Sequence, residues 1–254
     1  MTRKEWEALV EYTLNIGRQM LECGAEAWRA ENTMARILRA YGLEVQDAHV
    51  IATQAAVTVK TPEGDHYTST CMILPEKTGT DLERLEILNA AARRICDATP
   101  ALDQLPLVLQ RPAVRWSWRE CLGYMLGAGA FGVFFGGSLL DGVASGVIGG
   151  VIYLMEQVRR LHRQNKVIYT TVACFLSGIL AQLCVAIGFG TNLDRIMIGD
   201  IMLFIPGLVI VNGVREFFYA DILTGVYRLI EALLIAGAIA VGYAVSLVIG
   251  GQIL

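Results

Sequence analysis

"GDIMLFIPGLVIVNG", Gly199–Gly213, is the stretch of this 254-residue chain that decides its fold class. The stretch is apolar enough to cross a bilayer, yet Asp200, a Pro206–Gly207 pair and Asn212 interrupt it. Proline removes a backbone donor and its ring clashes with the preceding turn, so Pro206 is predicted to kink or break a helix. Carbonyl groups freed at membrane depth must be satisfied by protein or must line a water-filled cavity. The stretch therefore predicts an interrupted membrane-spanning helix.

Two interpretations of this interruption are open. Pro206 fits a simple kink, and it also fits a broken helix of the kind that forms transporter binding sites. Asp200 favours the second interpretation, because an ionisable group within the membrane costs at least about 2.5 kcal/mol and therefore pairs or faces water. The alternative for Asp200 is a position at the outer interface, beside Asp194 and Arg195.

The composition changes sharply along the chain. Hydrophobic residues make up 54% and charged residues 18% of the whole, a charged share below the usual quarter of soluble proteins. Residues 1–115 carry 13 Lys and Arg and 16 Asp and Glu, whereas residues 116–254 carry only 8 of each class. This division predicts a soluble domain over residues 1–115 and a membrane domain over residues 116–254. The net charge of −3 and the lack of a basic stripe argue against nucleic-acid binding.

The first domain is predicted to be α+β. Apolar residues recur at helical spacing over residues 3–22 and 25–41. Residues 43–74 are rich in Val, Ile and Thr and contain the turn-forming "TPEGD" (Thr61–Asp65), so we expect two or three antiparallel strands there. The start of the chain is charged and lacks the apolar core of a signal peptide, which predicts a cytoplasmic domain.

The end of this domain is predicted to be helical. Thr80 and Glu83 have the spacing of a capping box, which predicts a helix from there to about Asp97. A short further helix is expected near residues 101–110, in a linker that three prolines interrupt.

The apolar segments after residue 116 predict five transmembrane helices. Cys121–Met155 is too long for one span of about 20 residues, so we divide it into two spans. The turn between them is "GGSLLDG" (Gly136–Gly142), where we expect Asp141 to be solvated on the outer side. The other three predicted spans are Val167–Ile187, Ile196–Val214 and Ile222–Ile249.

The basic segment "EQVRRLHRQNK" (Glu156–Lys166) sets the predicted orientation. It holds four Lys or Arg residues, and cytoplasmic loops carry an excess of these residues. We therefore expect an α-helical integral protein of the cell membrane, with its N-terminus in the cytoplasm and its C-terminus outside.

Small residues recur every fourth position at the start of the second predicted span. This spacing puts them on one helix face, where small residues let membrane helices approach closely. Helix packing is the favoured interpretation and lining of a pathway the alternative. The residues are Ser138, Gly142, Gly146 and Gly150.

Arg228 and Glu231 lie three residues apart on one face of the last predicted span. Such spacing allows a local ion pair. It also allows Arg228 to hold a substrate carboxylate while Glu231 carries a proton. Both interpretations remain open.

Enzymatic and metal-binding motifs are missing from the sequence. There is no nucleophile elbow, Walker A loop, HExxH or dinucleotide-binding context, and no CxxC pair. The histidines, His49, His66 and His162, are isolated. We therefore predict no catalytic residue, no metal and no cofactor.

Two long stretches resemble the threonine/serine exporter family. "LECGAEAWRAENTMARILRAYGL" (Leu21–Leu43) resembles the cytoplasmic signature of that family, and Gly199–Gly242 resembles its membrane signature. The Pro-Gly pair, the following Asn-Gly and the Asp221–Gly225 spacing match the second signature. Asn32 departs from the first, because family members often carry an acid there. The matched residues of the first signature are Gly24, Ala25, Glu26, Arg29, Glu31, Thr33 and Met34.

The resemblance implies proton-linked export of a small carboxylate or amino acid, either threonine/serine or a dicarboxylate such as succinate. Full-length members join two five-span halves, and this chain resembles the first half. A small membrane protein supplying the second half is therefore the expected partner. We expect a cytoplasmic cluster of Glu26, Arg29 and Glu31 to gate or couple transport. The expected pathway residues are Asp200, Pro206, Gly207, Asn212, Arg228 and Glu231.

Two other functions compete with export. The first is a membrane-anchored hydrolase that uses the cytoplasmic domain, for which Glu26, Arg29 and Glu31 are the only support. The second is a scaffold that assembles another transporter without moving solute itself. We favour the exporter and expect no enzymatic activity.

Overall fold

The computed structural model describes residues 2–61, 64–74, 78–105, 116–162 and 164–253. It divides into two compact units. The first comprises Met1–Arg111 with Leu208–Ile230, and the second comprises Pro112–Gly207 with Glu231–Leu254. The predicted domain boundary at residue 115 lies outside the described residues.

The first unit contains the predicted α+β domain. Helices α1 (Arg3–Glu22) and α2 (Ala27–Ala40) precede strands β1 (Glu44–Ile51), β2 (Gln54–Lys60) and β3 (His66–Met72). The strands form one antiparallel sheet in the order β1-β2-β3, which confirms the expectation of antiparallel strands.

The core of this domain lies between α1, α2 and one face of the sheet. Alternate residues of β2 are buried, namely Ala55, Val57 and Val59, because successive strand side chains point to opposite faces. They join the apolar stripes of α1 and α2, which include Leu9 and Met34. The periodicity seen in the sequence therefore identifies the buried faces correctly.

Helix α3 (Leu82–Ala98) begins one residue later than a Thr80 cap predicts. Its N-cap is Asp81, whose carboxylate accepts the N–H of Arg84 at 2.9 Å. The acid adjacent to the first turn provides the acceptor, so the predicted Thr80–Glu83 box is not the cap. A short 3-10 helix spans Leu102–Gln104, within the range expected to hold one, and residues 106–110 of that range lie outside the described residues.

The first unit also contains helix α8 (Gly207–Phe218) and the beginning of helix α9 (Ile222–Ile253). The two helices approach closely through glycines. A Cβ at Gly225 would meet the Phe217 ring at 2.8 Å, and one at Gly213 would meet the Arg228 Cβ at 3.2 Å. Ala220, in the turn between them, has a φ of 62°, a left-handed conformation that L residues rarely adopt.

The second unit is helical. It contains α4 (Trp118–Phe134), α5 (Leu139–His162), α6 (Lys166–Ala186), α7 (Leu193–Ile201) and the remainder of α9. Its core is apolar and includes Ile148, Cys174, Ile196, Ile235 and Ile239.

Three of the described helices are long and apolar enough to span a membrane: Leu139–Leu161, Lys166–Ala186 and Ile222–Gln252. The other two predicted spans differ from such helices. Helix α4 has 17 residues, about 25 Å of helix, against a hydrocarbon core of about 30 Å. The predicted span Ile196–Val214 is divided between α7 and α8. The chain is therefore mostly helical, with a small N-terminal sheet and three candidate spans.

The interruption at Pro206 is a break and not a kink within one helix. Helix α7 ends at Ile201, and α8 begins at Gly207. Because Pro206 has no N–H, it cannot donate to a carbonyl one turn earlier, and a helix cannot continue through it without loss of that bond.

Glycines determine the packing of α4 on α5. A Cβ at Gly142 would meet the carbonyl oxygen of Gly129 at 3.0 Å, and one at Gly146 would meet that of Met125 at 3.1 Å. Gly150 is less crowded, with Met125 Cγ at 3.4 Å. Ser138 lies outside this interface, because it precedes α5 and exchanges hydrogen bonds with Asp141 as a capping box.

Candidate functional site

A buried carboxylate on α7 is the central polar group of the second unit. Asp200 is 0% exposed. The hydroxyl of Ser145 on α5 donates to its Oδ1 at 2.8 Å, and that of Ser177 on α6 donates to its Oδ2 at 2.9 Å. The Ser177 hydroxyl also lies 3.0 Å from the hydroxyl of Tyr243 on α9. We call Ser145, Ser177, Asp200 and Tyr243 the hydroxyl cluster.

The close approach of α7 to α4 and α5 depends on the glycine beside this acid. A Cβ at Gly199 would meet the Ser145 Oγ at 2.5 Å and the carbonyl oxygen of Ala128 at 2.6 Å. Glycine is therefore required at this position for the Asp200 carboxylate to reach the Ser145 hydroxyl. The two serines and the tyrosine carried no signal of charge or spacing in the sequence, so the prediction missed them.

The hydroxyl cluster contains no positive charge. Within the part of the chain that the structure describes, Asp200 receives its hydrogen bonds from the two serine hydroxyls and forms no ion pair. A carboxylate removed from water is stable only when paired, hydrogen-bonded or protonated. Asp194, in the first turn of the same helix, is exposed, whereas Asp200 is buried.

Asp141 is buried, at 1% exposed, and not solvated as expected from the sequence. Its Oδ1 accepts the backbone N–H groups of Thr191 at 2.6 Å and Asn192 at 3.0 Å. Its Oδ2 accepts the N–H of Ser138 at 2.8 Å. Asp141 thus joins the start of α5 to the loop before α7, and its role in the structure is to position these segments.

The two signature stretches of the sequence meet within the first unit. Four consecutive residues, Gly24–Ala27, each bond to one side chain of α8 or α9. The carbonyl of Gly24 accepts from Asn212 Nδ2 at 2.9 Å, and that of Ala25 accepts from Arg228 Nη2 at 2.8 Å. We call this contact the 24–27 junction.

The other two bonds of the 24–27 junction involve carboxylates. Glu26 Oε1 accepts from Arg215 Nη1 at 2.7 Å, and the N–H of Ala27 donates to Glu216 Oε1 at 2.8 Å. Glu216 therefore supplies an acceptor for the N-terminus of α2, where backbone N–H groups have no partner within the helix. Arg228 lies 3.8 Å from the same carboxylate.

Glu216 is fully buried and was not predicted. The Ala27 N–H and the Arg228 guanidinium both approach its Oε1. Its other oxygen, Oε2, has no hydrogen-bond partner among the described residues. A signal for it existed: Asn212 and Glu216 are four apart, which puts both on the same face of α8.

A pocket of about 350 Å³ opens beside the 24–27 junction, within the first unit. The ring of Trp28 stacks on that of Tyr219, with centroids 4.6 Å apart and an interplanar angle of 27°. We call it the arginine pocket; its lining residues are Glu26, Trp28, Arg29, Arg215, Phe218 and Tyr219.

The remaining predicted residues have separate partners. Glu231 pairs with Lys166 at 3.2 Å, and Arg228 contacts Ala25 and Glu216, so the predicted local pair between Arg228 and Glu231 is not the contact observed. Pro206 and Gly207 lie at the break, and a Cβ at Gly207 would have open space around it, apart from its own chain neighbours, among the described residues.

Glu31 faces the sheet. Its Oε1 accepts the N–H of Val50 at 2.8 Å and lies 3.6 Å from His49 Nδ1. Burial raises the pKa of Glu31, although the Val50 N–H and His49 oppose the shift. Glu26 and Arg29 therefore meet in the arginine pocket, whereas Glu31 bonds to β1. Among the described residues, no group of three or more His, Cys, Asp or Glu side chains has the arrangement of a metal site.

Comparisons with known proteins identify the family of the chain. The family model described as "Putative threonine/serine exporter" matches residues 11–250, which contain both signature stretches. The Escherichia coli (strain K12) protein named "Probable succinate transporter subunit YjjP" is 25% identical over 260 residues, covering 99% of this chain and 98% of that protein. No solved structure matches the chain. With nearly its whole length matched, the chain belongs to the threonine/serine exporter family.

Proposed function

We propose that this chain is one subunit of a secondary active exporter that moves a small carboxylate or amino acid out of the cell. The proton gradient drives export, and a second small membrane subunit supplies the other half of the pathway. The solute is of the threonine/serine type or a dicarboxylate such as succinate. Family membership and the similarity to a protein named as a succinate transporter subunit support this class of function.

The proposed topology has five spans in the cell membrane. They are α4, α5, α6, the α7–α8 pair and α9, with the N-terminus in the cytoplasm and the C-terminus outside. The basic segment Glu156–Lys166 between α5 and α6 supports this orientation through the positive-inside rule. The large apolar side chains exposed on these helices, such as Leu126, Val147, Ile168 and Leu233, then contact lipid or the partner subunit.

The observation that carries the proposal is the hydroxyl cluster around Asp200. Hydroxyl groups from α5 and α6 donate to one buried carboxylate, and the Tyr243 hydroxyl of α9 bonds to one of those donors, Ser177. Among the residues that the structure describes, no cation pairs with this carboxylate. Ionisable groups held in this way within membranes belong to ion and proton pathways. In the proposed cycle, Asp200 gains and loses a proton as the pathway opens to alternate sides. The break before Pro206, which immediately follows α7, supplies the backbone freedom for that movement.

The other pathway residues have supporting roles in this proposal. Asn212 and Arg228 hold the 24–27 junction, so movement of α8 is coupled to the cytoplasmic signature that contains Glu26 and Arg29. The Glu231–Lys166 pair neutralises a second acid in the membrane unit and is a candidate second proton site.

The test is solute flux in proteoliposomes that contain this chain and the small partner subunit. An imposed pH gradient drives the efflux of labelled succinate or L-threonine. The variant Asp200→Asn keeps the shape of the side chain but cannot exchange a proton, so flux is expected to fall by at least about tenfold. The matched control is Asp194→Asn, an exposed acid on the same helix, which retains flux.

Folding of each variant is checked by its elution volume and thermal stability. Parental flux from a well-folded Asp200→Asn protein would rule out Asp200 as the proton-carrying group. Flux from this chain without a second subunit would rule out the two-component part of the proposal.

A further inference from the structure

We infer that the arginine pocket binds the carboxylate group of the exported solute before it enters the membrane. The inference rests on the proposed export function, and it adds a binding site and the side chains that recognise the solute. The pocket lies within the first unit, between the start of α2 and the end of α8. Its volume of about 350 Å³ falls at the lower end of the range of small-molecule sites, about 300–1,000 Å³.

The charges that line the pocket are unbalanced. Two arginines share one carboxylate, because Arg215 contacts Glu26 at 2.7 Å and Arg29 lies 3.9 Å from it. The Arg29 distance is too long for a hydrogen bond. With side chains 50% and 58% exposed, respectively, Arg29 and Arg215 keep donors open to solvent. The pocket therefore has an excess positive charge that one further carboxylate neutralises.

Arginine suits this role because its planar guanidinium group matches a carboxylate with two parallel hydrogen bonds. Glu26 holds Arg215 in place, and its own side chain is only 10% exposed, so this part of the site is preformed. A preformed site loses less conformational entropy when it binds its ligand.

The pocket lining also includes three aromatic side chains. Trp28 stacks on Tyr219, and Phe218 lies beside them in the lining. Such a surface accommodates the short carbon chain of a dicarboxylate or the side chain of a small amino acid. A ligand carboxylate held by Arg29 and Arg215 would bridge α2 to α8 and so strengthen the attachment that the 24–27 junction makes.

Glu26 distinguishes the two classes of carboxylate. An amino acid carries an ammonium group that pairs with Glu26, so Glu26→Gln weakens its binding. A dicarboxylate has no such group and is repelled by Glu26, so the same change tightens its binding. A purely structural role of Glu26 would weaken binding of both solutes equally.

The experiment measures binding of succinate and of L-threonine by calorimetry to the full chain purified with its partner subunit. At least one probe is expected to bind the parent. Arg29→Gln and Arg215→Gln are each expected to raise Kd for that probe by at least about tenfold, because each removes a charge-assisted hydrogen bond. The matched control is Arg36→Gln, an exposed arginine further along α2 and outside the pocket lining, which is expected to leave Kd unchanged.

Arg29→Gln keeps the test decisive if Arg215→Gln fails to fold, because Arg29 makes the weaker contact with Glu26. Binding that is insensitive to Arg29→Gln, or the absence of binding of both probes to the parent, would overturn the inference. Flux measured on Asp200→Asn separates the two proposals. If binding depends on the arginines but the Asp200→Asn protein keeps the flux of the parent, the role of Asp200 is overturned and the pocket stands. If binding does not depend on the arginines but Asp200→Asn abolishes flux, the pocket is overturned and the role of Asp200 stands.

Discussion

Removal of the Asp141 carboxylate is expected to loosen the second unit at the point that positions α7. Three backbone N–H groups, those of Ser138, Thr191 and Asn192, donate to this one side chain at 2.6 to 3.0 Å. Two hydroxyl groups, those of Ser138 and Thr191, also contact it. Asp141→Ala removes every one of these acceptors at once.

The magnitude follows from the number of donors left without an acceptor. A hydrogen bond to a charged group contributes about 1.5–3 kcal/mol, and an unsatisfied donor costs about 1–3 kcal/mol when it stays buried. Thr191 and Asn192 are exposed residues and their hydrogen bonds to Asp141 are only partly buried, so the lower limits apply to them. We therefore expect Asp141→Ala to lower the free energy of unfolding by about 3–5 kcal/mol. Asp141→Asn keeps one acceptor oxygen, and we expect a loss of about 1–2 kcal/mol.

The assay is equilibrium unfolding in mixed micelles, followed by hydrogen exchange at the Thr191 and Asn192 amides. Exchange at those two amides should accelerate in Asp141→Ala even under conditions that leave the helices folded. Asp194→Asn, in the first turn of α7, is the control and should change stability by less than about 1 kcal/mol. An Asp141→Ala protein as stable as this control, with unchanged exchange, would refute the reasoning.

Three further predictions concern packing, pH and the 24–27 junction. Gly149→Ala would put a Cβ 2.7 Å from a backbone carbonyl of α4 and should cost about 1–3 kcal/mol in the same unfolding assay, whereas Gly237→Ala, with open space around it, should be neutral or stabilising. Because burial raises the pKa of Glu31 above 4.5, its stabilising contribution is present at low pH and is lost as pH rises through the folded-state pKa. The stability of the parent should therefore fall relative to Glu31→Gln between pH 4 and neutral pH, and parallel stability curves would contradict this. Glu216→Ala should destabilise the first unit by about 3–5 kcal/mol, because it leaves Arg228 without its buried carboxylate, and Glu216→Gln should cost less. Limited proteolysis near residue 24 measures the difference between the two variants. Equal effects of both variants would refute this prediction.

The sequence was most informative where burial follows a regular period or charge is scarce. The alternation in β2 and the helical stripes of α1 and α2 identify the faces that are buried. The small residues at every fourth position predict close approach, and a Cβ added at Gly142 or Gly146 would lie 3.0 or 3.1 Å from a backbone carbonyl of the facing helix. These features are local, so spacing along the chain is enough to read them.

Prediction failed where a polar residue acts through distant partners. The two hydrogen bonds to Asp200 come from residues 55 and 23 positions away, and Ser177 meets Tyr243 across 66 positions. A serine in an apolar helix has the same local pattern whether it packs or binds a carboxylate. For Asp141 the sequence predicts the wrong environment. Its place in a turn predicts exposure, but folding brings three backbone N–H groups around it.

By itself, the sequence determined the division into a charged and an apolar region, most of the secondary structure of the first domain, an interruption at Pro206 that left a kink or a break open, and the candidate status of Asp200. These follow from composition, periodicity and the missing N–H of proline, which are properties of short segments. Only the tertiary structure decided which residues meet: the hydroxyls around Asp200, and the carboxylate of Glu216 at the start of α2. Such pairings join residues as much as 189 positions apart, and no rule of spacing along a chain specifies them.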